Sequence, residues 1–103
     1  MNMIDNMEAM LAQGQDNALL RFSLGQAYFN DKQYQHAIKH LAAAVEHDPD
    51  YSAAWKIYGK ALAQDAQNDA AIHAYEKGIA VAEAKGDKQA AKEMQVFLKR
   101  LLK

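Results

Sequence analysis

Apolar positions recur at helical spacing along almost the whole chain. Met3, Ile4, Met7, Met10 and Leu11 predict one face of a first helix. Gly14 breaks it, and Asp16 stands where an N-cap for the next helix belongs. The second helix carries Leu20, Leu24, Ala27 and Tyr28 and fades at Asn30-Asp31-Lys32. A third runs from about Tyr34 to His47, with Ala37, Ile38, Leu41, Ala44 and Val45 on one side. Pro49 lacks an amide donor and disfavours α geometry in the residue before it, so this helix must end near Asp48. Asp50 is placed to cap a fourth helix carrying Trp55, Tyr58 and Leu62. A polar turn near Gln64–Gln67 leads to a fifth helix, Asn68 to about Ala84. Gly86 stops it, and Asp87 starts a sixth that reaches the C-terminus. Pro49 is therefore punctuation between two helical hairpins.

The pattern repeats. A shift of about 34 residues lays Gly25 on Gly59, Ala27 on Ala61, Asp31 on Asp65, Ala37 on Ala71, Ile38 on Ile72, Leu41 on Tyr75 and Ala44 on Gly78. Small residues coincide with small ones, and this has a physical meaning. Two helices approach closely only where a side chain is nearly absent, and bulky neighbours interdigitate around that point. Gly25, Ala37 and Ala44 are the expected close contacts of the first hairpin, and Gly59, Ala71 and Gly78 those of the second.

This arrangement resembles the tetratricopeptide repeat, a helix–turn–helix unit. A first repeat, residues 18–51, matches it at Leu24-Gly25, Tyr28, Ala37, Leu41, Ala44 and the closing Pro49. A second, residues 52–85, matches at Trp55, Tyr58-Gly59, Ala71 and Tyr75, with Gly78 replacing the usual alanine. Arg21 stands where the family often has tryptophan, and Glu83 replaces the closing proline. The resemblance implies one all-α domain over residues 1–103, an α-α superhelix of stacked antiparallel hairpins. Residues 1–13 form an N-terminal half repeat, with Met3, Met7, Met10 and Leu11 on its packing positions. Residues 87–103 form a C-terminal capping helix, because a solenoid must cover its end faces. That helix presents Ala90, Met94, Phe97, Leu98 and Leu101 as an apolar stripe, and lysines keep its other side wet. Val96 and Leu102 broaden the stripe, so Val96, Phe97 and Leu102 are the candidates for self-association.

Composition narrows the chemistry. Half of the 103 residues are apolar and the formal charge is −1, which suits a folded domain and favours neither nucleic acid nor an anionic membrane. There is no cysteine, hence no disulfide or thiol chemistry. The segment MNMIDNMEAML lacks the uninterrupted apolar core of a signal peptide. No apolar run approaches the roughly 20 residues that a membrane span needs. A soluble, cytoplasmic protein is expected. His36 and His40 lie four apart on the third helix, a spacing that helical zinc ligands share, but no third ligand or HExxH pattern accompanies them. Both are expected to face solvent. Ser23 and Ser52 lack a nucleophile-elbow context, and no glycine-rich phosphate loop occurs. The expectation is a non-enzyme without metal or cofactor.

The resemblance also implies a concave groove lined by the first helix of each repeat. By position it holds Phe22, Gln26, Phe29 and Asn30 from the first repeat, and Lys56, Ile57 and Lys60 from the second. The lysines are one turn apart and can face one acidic group together. A protein or peptide segment with apolar anchors and an acidic residue suits such a groove. Some members of the family clamp a C-terminal carboxylate with lysine and asparagine; here those positions read Phe22, Gln26 and Ile57, so the usual clamp is missing. The other reading is a structural protein, a homodimer joined through its terminal helices with no groove ligand. The charge is also uneven. Residues 1–16 hold Asp5, Glu8 and Asp16 and no base, whereas residues 85–103 are rich in lysine.

Overall fold

The computed structural model describes residues 2–103. These form six helices and no strand: α1 (Met3–Ala12), α2 (Ala18–Asn30), α3 (Tyr34–His47), α4 (Ser52–Gln64), α5 (Asn68–Ala84) and α6 (Lys88–Leu101). The stack is a slab of 41 × 28 × 18 Å.

One terminal geometry recurs. After α2, Lys32 takes a left-handed φ of 59°, its amide donates to Phe29 O, and the Gln33 amide donates to Tyr28 O. After α4, Ala66 (φ 60°) and Gln67 repeat both bonds with Ala63 and Leu62. This is a Schellman stop, which closes the orphan carbonyls of the last turn. It is built here on residues that carry a Cβ, and each left-handed residue is flanked by a second lock. The Gln33 side-chain amide donates to Asp31, and Gln67 donates to Asp65 at 2.8 Å. Gly14 and Gly86 end α1 and α5 in the same way without the Cβ penalty.

Helix starts depart from expectation twice. Asn17, not Asp16, caps α2, its side chain accepting from the Leu20 amide at 2.8 Å. Asp16 is drawn away by Arg21 and His47. No side chain caps α4; Asp50 instead offers its carbonyl to Lys85 Nζ. Asp87 caps α6 as expected. Pro49 both ends the preceding hairpin and accepts a bond of 2.7 Å from Trp55 Nε1, which ties the turn to α4.

The two hairpins close around their glycines. A Cβ on Gly25 would collide with the Leu41 side chain, and one on Gly59 would lie 2.5 Å from Tyr75 Cε1. Leu24, Tyr28, Ala37 and Leu41 form one core cluster with Met7; Leu62, Ala71, Tyr75 and Ala82 form another with Ala91 and Met94. Ala44, Val45 and Ala54 join the two hairpins. At the N-terminal end the packing is thinner than expected. Only Met7 of the α1 methionines is buried, while Met3 and Met10 are 64 % and 39 % exposed. Met10 occupies the position equivalent to Ala44, where bulk prevents close approach of the helices.

Candidate binding face

In this fold α2 packs on α4 and α4 on α6, whereas α3 and α5 do not meet. The stack therefore curves with α2, α4 and α6 on its inner side. At the centre of that side lies Lys60. Its ammonium stands 5.7 Å from the Phe29 ring centroid and 5.4 Å from that of Phe97, so α4 places one cation between a ring from α2 and a ring from α6. The Arg100 guanidinium covers Phe97 from another direction at 5.8 Å. Among the described residues no carboxylate lies within 4 Å of Lys60. Lys56, one turn earlier, is 3.5 Å from Glu93 of α6.

The residues assigned to the groove from sequence thus separate. Phe29, Lys56 and Lys60 come together, Gln26 and Asn30 are exposed beside them on α2, and Ile57 is half-buried against the core. Phe22 is used within the fold: its ring packs on Tyr51 at 4.9 Å, beside the cluster that joins the hairpins. Phe97, expected from the sequence at a self-association surface, packs on Tyr75 at 5.8 Å and turns its ring toward Lys60. Val96 and Leu102 are exposed, at 47 % and 63 %.

A second cluster was not foreseen. Arg21, standing at the tryptophan position, donates through Nε and Nη2 to both Asp16 oxygens at 2.8 and 3.0 Å. Its Nη1 donates to His40 Nδ1 at 3.0 Å. An arginine cannot accept, so His40 carries its proton on Nε2, which faces Glu8 at 3.8 Å. Glu8 accepts from the Tyr28 hydroxyl at 2.6 Å. The Tyr28 ring lies nearly parallel to that of His40 at 5.5 Å and stacks on His36. His36 is exposed, but His40 is 1 % exposed, contrary to the expectation that both face solvent. The reason is long-range: α1 brings Glu8 over the imidazole and Arg21 closes its other edge.

The electrostatics follow from this geometry. The Arg21 hydrogen bond, helped by His47, holds Asp16 down to about 2, and the Glu8 bond pushes Tyr28 up to about 12. Burial lowers His40 below its ordinary value of 6.5. The unfolded chain therefore takes up the imidazole proton first as pH falls. Stability from this group is complete above 6.5 and is lost as pH falls through the lowered folded value. Asp16 works in the same direction at lower pH: its share is present above 3.8 and is lost through about 2. Melting temperature is expected to fall as pH drops below about 6.5, with a shallower slope in His40→Asn. An unchanged slope in that variant would assign the titration to another group.

This cluster fastens α1 to the first hairpin, and a hollow lined by Asp16, Arg21, Ala43, Glu46 and His47 opens beside it. Ser23 Oγ is bonded to Leu19 O at 2.9 Å. No group of three or more His, Asp or Glu side chains among the described residues is placed to hold a metal ion, and no described helix is long and apolar enough to cross a membrane.

Comparison with known proteins places the fold. A family model, the tetratricopeptide repeat, matches residues 18–51. The TPR repeat-containing protein PA0015 of Pseudomonas aeruginosa is 50% identical over 99 residues, covering 96% of this chain and 94% of that protein. The solution structure of protein BPP2914 from Bordetella parapertussis superposes with a TM-score of 0.84 at 48% identity, over 99% of this chain and 89% of the other. A tetratricopeptide repeat domain protein from Salinibacter ruber, solved by NMR, gives 0.75 at 27% identity, over 84% and 87%. Half of the residues shared along nearly the full length of both chains, on the same stack of helical hairpins, make this chain a member of the tetratricopeptide-repeat family.

Proposed function

We infer that the chain is a non-catalytic, cytoplasmic binding module that holds a protein or peptide segment on the inner face of α2, α4 and α6. Tetratricopeptide repeats in general mediate protein–protein interactions, which supports the class of function. One observation carries the finer reading. Among the described residues Lys60 is a cation without a carboxylate partner, held in place between Phe29 and Phe97. The rings limit its rotamers, so a ligand carboxylate meets a charge that has already lost much of its side-chain entropy. The same rings offer apolar contact on either side. Aromatic side chains are enriched at the cores of protein interfaces. A segment with an acidic residue flanked by apolar anchors satisfies both features. Gln26 and Asn30 supply polar contacts at the α2 edge.

The test is selection from a displayed random-peptide library, followed by titration of the enriched peptides. Enrichment of acidic-apolar sequences is expected. Lys60→Gln is expected to weaken them at least about tenfold, the loss of roughly 1.4 kcal/mol, with helicity and melting preserved. Lys56→Glu together with Lys60→Glu is expected to abolish capture. Peptides that bind Lys60→Gln as well as the parent would defeat this reading.

A further inference from the structure

We propose that the chain also associates with itself head to tail, the outer face of α6 in one copy docking on the α1–α2 edge of the next. The proposal concerns the ends of the stack; its head borders the inner face, since Asn30 also lines the hollow beside Met3.

Among the described residues the exposed large hydrophobics lie only at the two ends. Met3, Met10 and Leu19 are 64 %, 39 % and 66 % exposed at one end, and Val96 and Leu102 are 47 % and 63 % exposed at the other. None lies on α3, α4 or α5. At the N-terminal end two hollows run between α1 and α2, one beside Met3, Ala27 and Asp31, the other beside Met10, Leu19 and Ser23. Seven residues separate Met3 from Met10, about 10 Å along a helix, and six separate Val96 from Leu102, about 9 Å. The two apolar pairs therefore match in axial length, although Val96 and Leu102, six residues apart, stand about 120° apart around α6.

Charge selects the partner. Among the described residues α6 uses its acid internally: Glu93 pairs with Lys56, and Asp87 before it caps the helix. Lys92, Lys99 and Lys103 are exposed around Val96 and make no ion pair. At the other end Asp16 is taken by Arg21 and His47, and Glu8 by Tyr28. Among the described residues no base pairs with Asp5 or Asp31, and both are exposed. A symmetric contact would oppose lysines to lysines or aspartates to aspartates. Only the α6-to-α1 arrangement brings opposite signs together around the apolar pairs. Such a contact is heterologous: each copy keeps one free head and one free tail, and assembly continues beyond two. It also sets an α1 beside an α6, so a second-type helix from one copy follows a first-type helix of another and the hairpin alternation continues.

The experiment is sedimentation and light scattering of the intact chain over a wide concentration range, with two surface variants. The parent is expected to pass beyond twice the monomer mass without a plateau, and to do so less at high salt. Leu19→Asp blocks the head and Val96→Asp blocks the tail; each alone is expected to be monomeric with an unchanged melting temperature. Mixed in equal amounts they are expected to form a dimer and nothing larger, because one intact tail meets one intact head. A parent that stays monomeric throughout, or a mixture that forms no dimer, overturns the proposal. So does a parent that stops at two.

Discussion

Tyr75→Ala is expected to cost about 3–5 kcal/mol and to lower the melting temperature on the order of 15–30 °C. Tyr75 is 2 % exposed and among the largest fully buried side chains. Burial pushes its phenol up to about 12, so the hydroxyl stays neutral throughout the physiological range. Its ring fills the space left by the absent side chain of Gly59 and supports Phe97 from below. Four of its buried neighbours, Ala71, Ala74, Ala82 and Ala91, are too small to refill the hole, while Leu62, Met94 and the half-buried Phe97 have the reach to fill part of it. How far those three collapse into the space sets where the loss falls within the range for aromatic truncation. The companion change gives a sharper check. In the parent, Gly59→Ala drives a Cβ against three atoms of a ring that cannot turn away, and is expected to destabilise by about 1–3 kcal/mol. In the Tyr75→Ala background the collision is gone, and the same change is expected to stabilise by up to about 1 kcal/mol through helix propensity. A sign that does not reverse would mean that Gly59 and Tyr75 are not the contact that spaces α4 from α5.

That contact was visible in the sequence because it is local and periodic. Gly59 and Tyr75 repeat Gly25 and Leu41, and small and large residues exchange across one hairpin. The helix bounds Tyr34–His47 and Asn68–Ala84 were legible for the same reason: their apolar stripes end at a proline turn or a glycine stop. What was illegible depends on three elements meeting. His40 sits at a position that a regular repeat exposes, and it is buried because Glu8 from α1 and Arg21 from α2 close over it. The one available signal was Arg21 at a tryptophan position, a polar group where bulk is the rule. Phe97 is a similar case. Its place on the apolar stripe of α6 was plain, but which side of the stack it faces depends on how α6 lies on α4, and no periodicity within α6 encodes that. The sequence pointed to Asp16 as the cap of α2, and Asn17 takes that place because Arg21 and His47 claim the aspartate. On the candidate face the register of α2 and α4 placed the lysines and Phe29 near one another, while the packing of Phe22 on Tyr51, a residue outside the repeat's first helix, was not encoded in that register.

Met94→Ala is expected to cost about 2–5 kcal/mol, and its loss is expected to fall unevenly. Met94 is 0 % exposed, and its sulfur packs where Gly78 lacks a side chain, so it is the pin that holds α6 against α5. Beside it only Ala91 is buried on that helix, and an alanine cannot compensate for the missing thioether. Opening of α6 exposes Tyr75 and Leu62 but leaves the first hairpin, with its own core around Leu24 and Leu41, intact. Hydrogen exchange is expected to accelerate most in α6, then in α5, and least in α2 and α3. Peptide capture is expected to weaken along with it, because Phe97 leaves the ring pair around Lys60 when α6 detaches. Head-to-tail assembly should fail as well, since its tail is α6, and the variant then separates from Val96→Asp by one readout: Val96→Asp loses assembly and keeps capture. A uniform acceleration of exchange across all the helices would show instead that α6 melts only with the whole domain, and that the cap and the two hairpins are one cooperative unit.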